Sequence, residues 1–293
     1  MYDMKRLIFS LAAISLLTVS CSVIEDRASC LAPVSVHISD FSVTQSDLPT
    51  KATQDPADYA NVGAITLAFY DGTNEVFKTT RIKSETDTYT TFGDFSCNLP
   101  IGNYTLVALA YMYREGDVFV LTSPTEAAFT SERPRETFCA TQAVTVSSTS
   151  PLELSVTLNR ISSRLRIVST DGRPSGVTKI RTSYAKGGKG FNPTTGLATT
   201  DTGFSQTNNP SSAVGAPIDI SSCPFLATDE ETINITIEAL DADDHVLITK
   251  VVPNVPLRRN RETTLTGAVF TAGASSASFR LETGWLDPQT VNF

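Results

Sequence analysis

Histidines, the side chains used most often in acid–base and metal chemistry, are few and far apart in this 293-residue chain. Its two histidines are His37 and His245. Asp241, Asp243 and Asp244 precede His245, but an EF-hand loop beginning at Asp241 would need glycine sixth and glutamate twelfth, where this chain has valine. No G-x-S-x-G, H-E-x-x-H or Walker motif occurs. These patterns predict no enzyme, metal centre or cofactor; the aspartates predict a solvated hairpin turn, with a weak non-EF calcium site as the alternative.

Four of the five cysteines show no ligand spacing. Cys30, Cys97, Cys139 and Cys223 lie far apart, and no C-x-x-C pair exists, which argues against a thiolate zinc site. Four cysteines allow three pairings, and the sequence does not choose among them. Because a chain of this length does not need disulfides for its core, we expect buried free thiols rather than bridges.

The fifth cysteine, Cys21, follows a short apolar segment. Lys5 and Arg6 precede an apolar run from Leu7 to Val19, and Ser20 stands just before the cysteine. A charged start, a short apolar core and a small final residue are typical of a secretory signal. The run of about 13 residues is shorter than the ~20 needed to span a bilayer as a helix.

The residues around this cysteine predict lipidation. Leu17-Thr18-Val19-Ser20-Cys21 resembles the bacterial lipobox, in which the cysteine becomes the acylated first residue of the mature protein. Cleavage between Ser20 and Cys21 would leave acyl chains such as palmitate on Cys21, each buried CH₂ contributing about 0.8 kcal/mol to membrane binding. The alternative is an ordinary secretory signal followed by a cysteine at that position by chance.

The composition describes a globular, acidic protein. Apolar residues make up 41% and charged residues 18%, and the formal net charge is −8. These values exclude a disordered chain. They also argue against nucleic acid as a partner, because its phosphates require a basic surface.

Hydrophobic alternation indicates strands almost throughout. Val34, Val36 and Ile38 alternate, and the phase then shifts to Phe41, which predicts a strand with a bulge near Ser39–Asp40. No helical period longer than two turns follows the signal, and short strands at intervals of about 8–12 residues suggest β-sandwiches. We therefore predict an all-β chain with a signal peptide at 1–20, a lipidated tether at 21–32 and two tandem β-sandwich domains at 33–158 and 159–293.

Two local pairings are predicted in the first domain. Asp71–Asn74 is a turn signal between the alternating Ile65–Phe69 segment and Val76–Thr80, which indicates a hairpin. Tyr104–Tyr113 is apolar on both faces, as expected of a strand in the middle of a sandwich. Val118–Leu121 is expected to pair back with it across the polar turn at 115–117.

Four short motifs, spread over nearly the whole chain, carry a family resemblance. They are Cys21–Arg27 followed by Cys30; Leu158–Ile167 at the predicted domain junction; Val255–Asn260 with Thr263, Leu265 and Gly267; and Gly284-Trp285 near the last strand. Together they resemble the FimB/Mfa-type fimbrillin-associated anchor and accessory lipoproteins of anaerobic Gram-negative bacteria.

The resemblance implies two transthyretin-like β-sandwich domains in a fimbrial subunit on the cell surface, anchored in the outer membrane through Cys21. It implies other fimbrial subunits as partners, joined by strand exchange, in which one subunit's extended segment completes its neighbour's sheet. The implied exchanging elements are Val34–Val43 and Ser278–Phe293, the latter including Phe279, Leu281 and Trp285.

Cleavage after Lys51 would distinguish a shaft or tip subunit from an anchor. Stalk subunits of related fimbriae are cut after a basic residue, and Lys51 is the candidate by analogy. An anchor should remain uncut, because cleavage there would separate the lipid from the fold. The sequence does not choose between anchor, shaft and tip.

Two other functions compete with the fimbrial one. A stand-alone outer-membrane lipoprotein could bind glycans through aromatic side chains, with Trp285, Tyr111 and Tyr113 as candidates. For either kind of surface protein, a host protein or a host glycan is a further candidate partner. A hydrolase is the weakest hypothesis, because a β-sandwich alone argues for no chemistry.

Overall fold

A computed structural model describes residues 30–44, 51–54, 61–83, 92–131, 133–271 and 280–283. For 40–44, 51–54 and 280–283 it describes the backbone strands only.

The described residues form strands and turns, with no α-helix among them. None of them therefore provides an apolar helix of membrane-spanning length. The all-β prediction is confirmed. The strands are β1 (Leu31–Thr44), β2 (Lys51–Gln54), β3 (Ala64–Asp71), β4 (Asn74–Ile82), β5 (Asp94–Pro100), β6 (Gly102–Tyr111), β7 (Phe119–Ser123), β8 (Glu126–Phe129), β9 (Thr137–Val146), β10 (Leu152–Arg160), β11 (Arg164–Ser169), β12 (Lys179–Tyr184), β13 (Gly190–Asn192), β14 (Leu197–Ala198), β15 (Phe204–Asn208), β16 (Asp219–Ser222), β17 (Glu230–Leu240), β18 (Val246–Arg258), β19 (Glu262–Gly267) and β20 (Arg280–Thr283).

The first ten strands other than β7 and β8 form one sheet, whose two ends pack against each other as a β-sandwich around a shared core. Its order is β2-β1-β10-β9-β6-β3-β4, and β5 also pairs with β1. Alternate side chains of β1 and β10 share one buried core with those of β3, β6 and β9. The predicted hairpin of β3 and β4 is confirmed, with Asp71 opposite Asn74.

The later strands form two further sheets around a second core. Their orders are β16-β11-β19-β20 and β15-β12-β17-β18. Ile233, Ile235 and Ile237 alternate into this core from β17, opposite Leu165 and Leu265 of the other sheet. The predicted division between domains at 158/159 stays a prediction, although these two cores divide their residues near that position.

A small fourth sheet joins early and late strands. Its order is β14-β13-β8-β7, and Phe191 of β13 lies opposite Ala127 of β8. An aromatic core lies beneath it, in which Phe129 and Phe225 stack with their ring centroids 6.3 Å apart. The sheet therefore connects segments on both sides of residue 158.

One predicted pairing is wrong. The segment predicted to pair with Tyr104–Tyr113 forms β7, which pairs with β8 instead. The physical reason is that β6 already lies between β3 and β9, so neither of its edges is free.

Candidate functional site: the seat of the first strand and the junction cleft

The first strand lies inside its sheet with one face in the core. Val34, Val36 and Ile38 are each at most 2% exposed. Their period of two places all three on the inner face, where they contact the core shared by both halves of the sandwich. The strand predicted as an exchanging element is thus an integral part of its own fold.

Both edges of β1 are paired. On one side it runs parallel to β10, from Val34 opposite Leu152 to Ser42 opposite Asn159. On the other side it runs antiparallel to β5 over residues 31–37 and to β2 over residues 41–44. The register shifts between Ile38 and Asp40, which confirms the predicted bulge.

His37 lies on the outer face of β1. Its Nδ1 is 2.5 Å from Oδ1 of Asp94 on the neighbouring β5, and the two side chains are 59% and 50% exposed. Water competes for such a pair, which contributes at most about 1 kcal/mol to stability. The arrangement matches an ordinary cross-strand contact.

Lys51 begins the edge strand β2. It lies opposite Thr44, and the ladder ends with Gln54 opposite Phe41. A cut after Lys51 would leave β1 joined to the fold only by hydrogen bonds and side-chain packing. Cleavage at Lys51 remains a prediction.

Six residues predicted for signal cleavage, lipidation or C-terminal strand exchange lie outside the described part of the chain. They are Ser20, Cys21, Ser278, Phe279, Trp285 and Phe293. Leu281 is described in its backbone, in β20, opposite Leu265 of β19. β20 is the edge of its sheet. The roles assigned to all these residues stay predictions.

A cleft of about 780 Å³ opens where β9 and β10 separate. The two strands pair only through Cys139 with Asn159 and Phe138 with Arg160. The cleft continues to two turns from the later part of the chain, at 193–196 and 258–261. It is therefore lined by both sides of the predicted domain junction.

Arg160 forms the buried wall of this cleft. Its Nε lies 2.8 Å from Oε1 of Glu136, and the two side chains are 0% and 3% exposed. Its guanidinium carbon is 4.9 Å from the ring centroid of Phe138, and its Nη1 donates to Oδ1 of Asn260 at 3.1 Å. The charge is thus paired with an acid, stacked on a ring and hydrogen-bonded to an amide.

The turn between β18 and β19 forms the rim. Asn260 has φ of 58°, a left-handed conformation that asparagine adopts more readily than most residues. Arg259 pairs with Asp229 at 2.7 Å and donates to the carbonyl of Thr195 at 2.8 Å. Arg259 therefore ties the turn to the opposite lip of the cleft.

Two motifs of the family resemblance meet here. The backbone N–H of Asn260 donates to the carbonyl of Ser162 at 3.0 Å, and that of Arg164 donates to the carbonyl of Arg261 at 2.9 Å. The junction motif and the late motif are thus hydrogen-bonded neighbours. Glu136 was not predicted, because no spacing in the sequence connects it with Arg160.

The four described cysteines carry free thiols. Burial raises the pKa of Cys97 to about 11 and that of Cys223 to about 12. Burial also raises the pKa of Cys139, whose thiol donates to the carbonyl of Pro193. Thiols with such pKa values are protonated at neutral pH and are poor nucleophiles.

The aspartate cluster serves a hairpin turn. Among the described residues, Asp241, Asp243 and His245 are the acidic and histidine side chains that come close enough to share a cation. However, Oδ1 of Asp241 already accepts the backbone N–H groups of Asp243 and His245, each at 2.9 Å. Asp244 pairs with Lys179 at 2.8 Å. The predicted turn between β17 and β18 is confirmed, and the carboxylate of Asp241 stabilises it.

The prediction that Tyr111 binds a sugar is wrong. Tyr111 is only 6% exposed and packs against Phe119, with ring centroids 4.5 Å apart. It cannot offer a face to a sugar, because its ring belongs to the aromatic core. Trp285 lies outside the described residues, and Tyr113 is partly exposed.

The fold, in which the first strand is paired on both edges, defines an all-β protein of the β-sandwich class. The chain belongs to the DUF6562 family, a family of unknown function, whose sequence profile matches residues 34–289. No curated protein sequence matches it.

Solved structures share the fold. A candidate adhesin from Bacteroides thetaiotaomicron aligns with a TM-score of 0.50 at 12% identity, over 88% of this chain and 98% of its own. A candidate polysaccharide-binding protein (DUF1812) from the same species gives 0.50 and 12%, over 81% and 91%. The fimbrial anchor protein Mfa2 from Porphyromonas gingivalis gives 0.48 and 10%, over 87% and 98%. At such identities the likeness to the two Bacteroides thetaiotaomicron structures describes the fold alone.

Proposed function

We propose that the chain is a non-enzymatic surface lipoprotein and a structural subunit of a fimbria, in the position of an anchor or accessory pilin. Cys21 would hold it in the outer membrane, and other fimbrial subunits would be its partners. The observation that carries this proposal is the pairing of β1 with β10 on one edge and with β5 on the other. An uncut anchor needs its first strand to stay in its own sheet, because its lipid is attached ahead of that strand.

The energetics favour a first strand that stays in place. Burial of Val34, Val36 and Ile38 stabilises the sandwich by about 1.5–3 kcal/mol for each side chain. Each backbone hydrogen bond adds about 0.5–1.5 kcal/mol. A chain cut at Lys51 that lost β1 would need a replacement strand from a neighbour, whereas an uncut chain has a complete sheet. In the uncut case the exchanging segment would be Ser278–Phe293.

The test begins with native outer membranes. After gentle solubilisation and pull-down, the eluate is run on SDS gels with and without boiling. We expect a ladder that contains other β-sandwich subunits and collapses on boiling, because strand-exchanged complexes resist SDS. A single band that boiling does not change would contradict fimbrial assembly.

Mass spectrometry of the same eluate distinguishes an anchor from a shaft or tip subunit. An anchor should begin with acylated Cys21, and a Lys51→Ala variant should have an unchanged mature length. A chain that begins at Ala52 would contradict the anchor and indicate a shaft or tip subunit. A Cys21→Ser variant should leave the membrane fraction.

A second candidate is a stand-alone glycan-binding lipoprotein. The junction cleft favours it, because a polar cavity of about 780 Å³ lies within the ~300–1,000 Å³ typical of ligand sites. A Trp285→Ala variant that binds a polysaccharide panel as the wild type does would exclude Trp285 from that role.

A further inference from the structure

The described residues that line the junction cleft are mostly polar, and none of them is aromatic. The lining includes Thr141 and Gln142 of β9 and Ser155 and Asn159 of β10, whose side chains carry hydroxyl and amide groups. Such groups donate and accept hydrogen bonds, which suits a ligand rich in hydroxyls. A neutral sugar that depends on stacking would find no platform here.

The cleft is also more basic than the rest of this acidic chain. Among the described residues that line it, four are arginines and one, Asp229, is a carboxylate. Arg160 is balanced by buried Glu136, and Arg259 by Asp229. These two pairs are part of the wall, since their other hydrogen bonds hold the surrounding turns.

Arg258 is held differently. Its Nε lies 2.9 Å from Oε1 of Glu230, and the two side chains are 60% and 63% exposed. An exposed pair of this kind contributes only about 0–1 kcal/mol, so a ligand anion can replace Glu230 at little cost. Arg258 is thus a cation at the mouth of the cleft whose internal partner is exchangeable.

We propose that the junction cleft binds an acidic oligosaccharide. A carboxylate or sulfate of the sugar would pair with Arg258, and the ring hydroxyls would bond to Gln142, Asn159 and the neighbouring hydroxyl side chains. An acidic peptide shares the charge of such a sugar but lacks its ring hydroxyls, and it is the competing ligand in the experiment below. Binding here does not depend on fimbrial assembly, and a purified chain suffices to test it.

The experiment is isothermal titration of the detergent-solubilised full-length protein. The probes are trigalacturonate, a heparin-derived tetrasaccharide, neutral maltotriose and an acetylated hexaglutamate peptide. We expect saturable binding of at least one acidic saccharide and none of maltotriose. The two acidic probes distinguish a carboxylated ligand from a sulfated one. No saturable binding of either acidic saccharide, or binding of the peptide alone, would overturn the proposal.

Three variants locate the site. Arg258→Gln should weaken acidic-saccharide binding about 10–100-fold, as expected for the loss of one charge-assisted hydrogen bond. Glu230→Gln removes the competing carboxylate and should tighten binding several-fold. Arg166→Gln is the matched control, because Arg166 forms an exposed pair with Asp219 away from the cleft.

The pattern of the three variants decides the outcome. Equal losses in Arg258→Gln and Arg166→Gln would overturn the site, because binding would then follow overall charge. Unchanged binding in both Arg258→Gln and Glu230→Gln would overturn it as well. Because Arg258 is largely exposed, its replacement should leave the fold intact, and thermal unfolding of each variant checks this.

Discussion

Arg160 donates a hydrogen bond to Asn260 at 3.1 Å, across 100 residues of sequence. The same guanidinium pairs with Glu136, and both charged side chains are buried. The end of β10, the start of β9 and the β18–β19 turn are therefore joined at one point. This point forms the wall of the junction cleft and connects the two predicted domains.

Removal of one partner from the buried pair should be strongly destabilising. Arg160→Ala or Glu136→Ala should lower the free energy of unfolding by about 3–5 kcal/mol, because each leaves a buried charge without its partner. Urea denaturation measures the change. The double variant Arg160→Met/Glu136→Leu should lose less than the two single losses combined.

The exposed pair of Arg166 and Asp219 provides the control for the buried one. Arg166→Ala should cost at most about 1 kcal/mol, because solvent screens this pair. Equal effects of Arg160→Ala and Arg166→Ala would contradict the structural role of the junction pair.

Asp171 should make the stability dependent on acidic pH. Partial burial acts to raise its pKa, but hydrogen bonds from Val269, Thr271 and Phe270 outweigh that effect, and the pKa is lowered. Its carboxylate accepts three backbone N–H groups at 2.7–2.8 Å and the Thr271 hydroxyl at 2.9 Å. It therefore fixes the segment that follows β19.

Because folding lowers its pKa, the carboxylate stabilises the folded state at pH values above its pKa in the unfolded chain. This stabilisation is lost as the pH falls through its pKa in the folded protein. Asp171→Ala should destabilise the protein by about 1–3 kcal/mol at neutral pH. The difference in melting temperature from the wild type should shrink below about pH 4. Glu126→Ala, at an exposed hairpin end, is the control. A difference that stayed constant down to pH 2 would refute this role.

The first strand should contribute to stability through its inner face. Ile38→Ala should lower the free energy of unfolding by about 2–5 kcal/mol, because Ile38 is 1% exposed and its truncation leaves a cavity. Ser35→Ala, on the outer face of the same strand, should change it by no more than about 0.5 kcal/mol. Similar small effects of Ile38→Ala and Ser35→Ala would mean that the inner face of β1 is not packed in the core in solution.

The aromatic core should couple the early and late parts of the chain. Phe129→Leu and Phe225→Leu should each cost about 1–3 kcal/mol. Because the rings stack, the double variant should deviate from additivity by about 0.5–1.5 kcal/mol. Phe129→Leu combined with Phe204→Leu, which lies against another core, should be additive.

The unfolding curve provides a second test of this coupling. We expect one cooperative transition, because the aromatic core holds residues from both sides of position 158. Two separate transitions, with additive effects of Phe129→Leu and Phe225→Leu, would show that the two parts unfold independently.

The all-β class and many of the strands follow from local patterns in the amino-acid sequence. The alternation of Val34, Val36 and Ile38 places one face in the core, and the phase shift after Ile38 marks the bulge. The turn at Asp71–Asn74 defines its hairpin. These features are local, since side-chain period and turn chemistry act within a few residues.

Which distant strands become neighbours depends on how the whole chain packs in three dimensions. β1 runs parallel to β10, more than 100 residues later, and β7 pairs with β8 because β6 has no free edge. The junction pair of Arg160 and Glu136 leaves no trace in sequence spacing, and the cleft exists because β9 and β10 separate. Hydrophobic pattern selects the buried face of a strand, but its neighbour depends on which edges the rest of the fold leaves open.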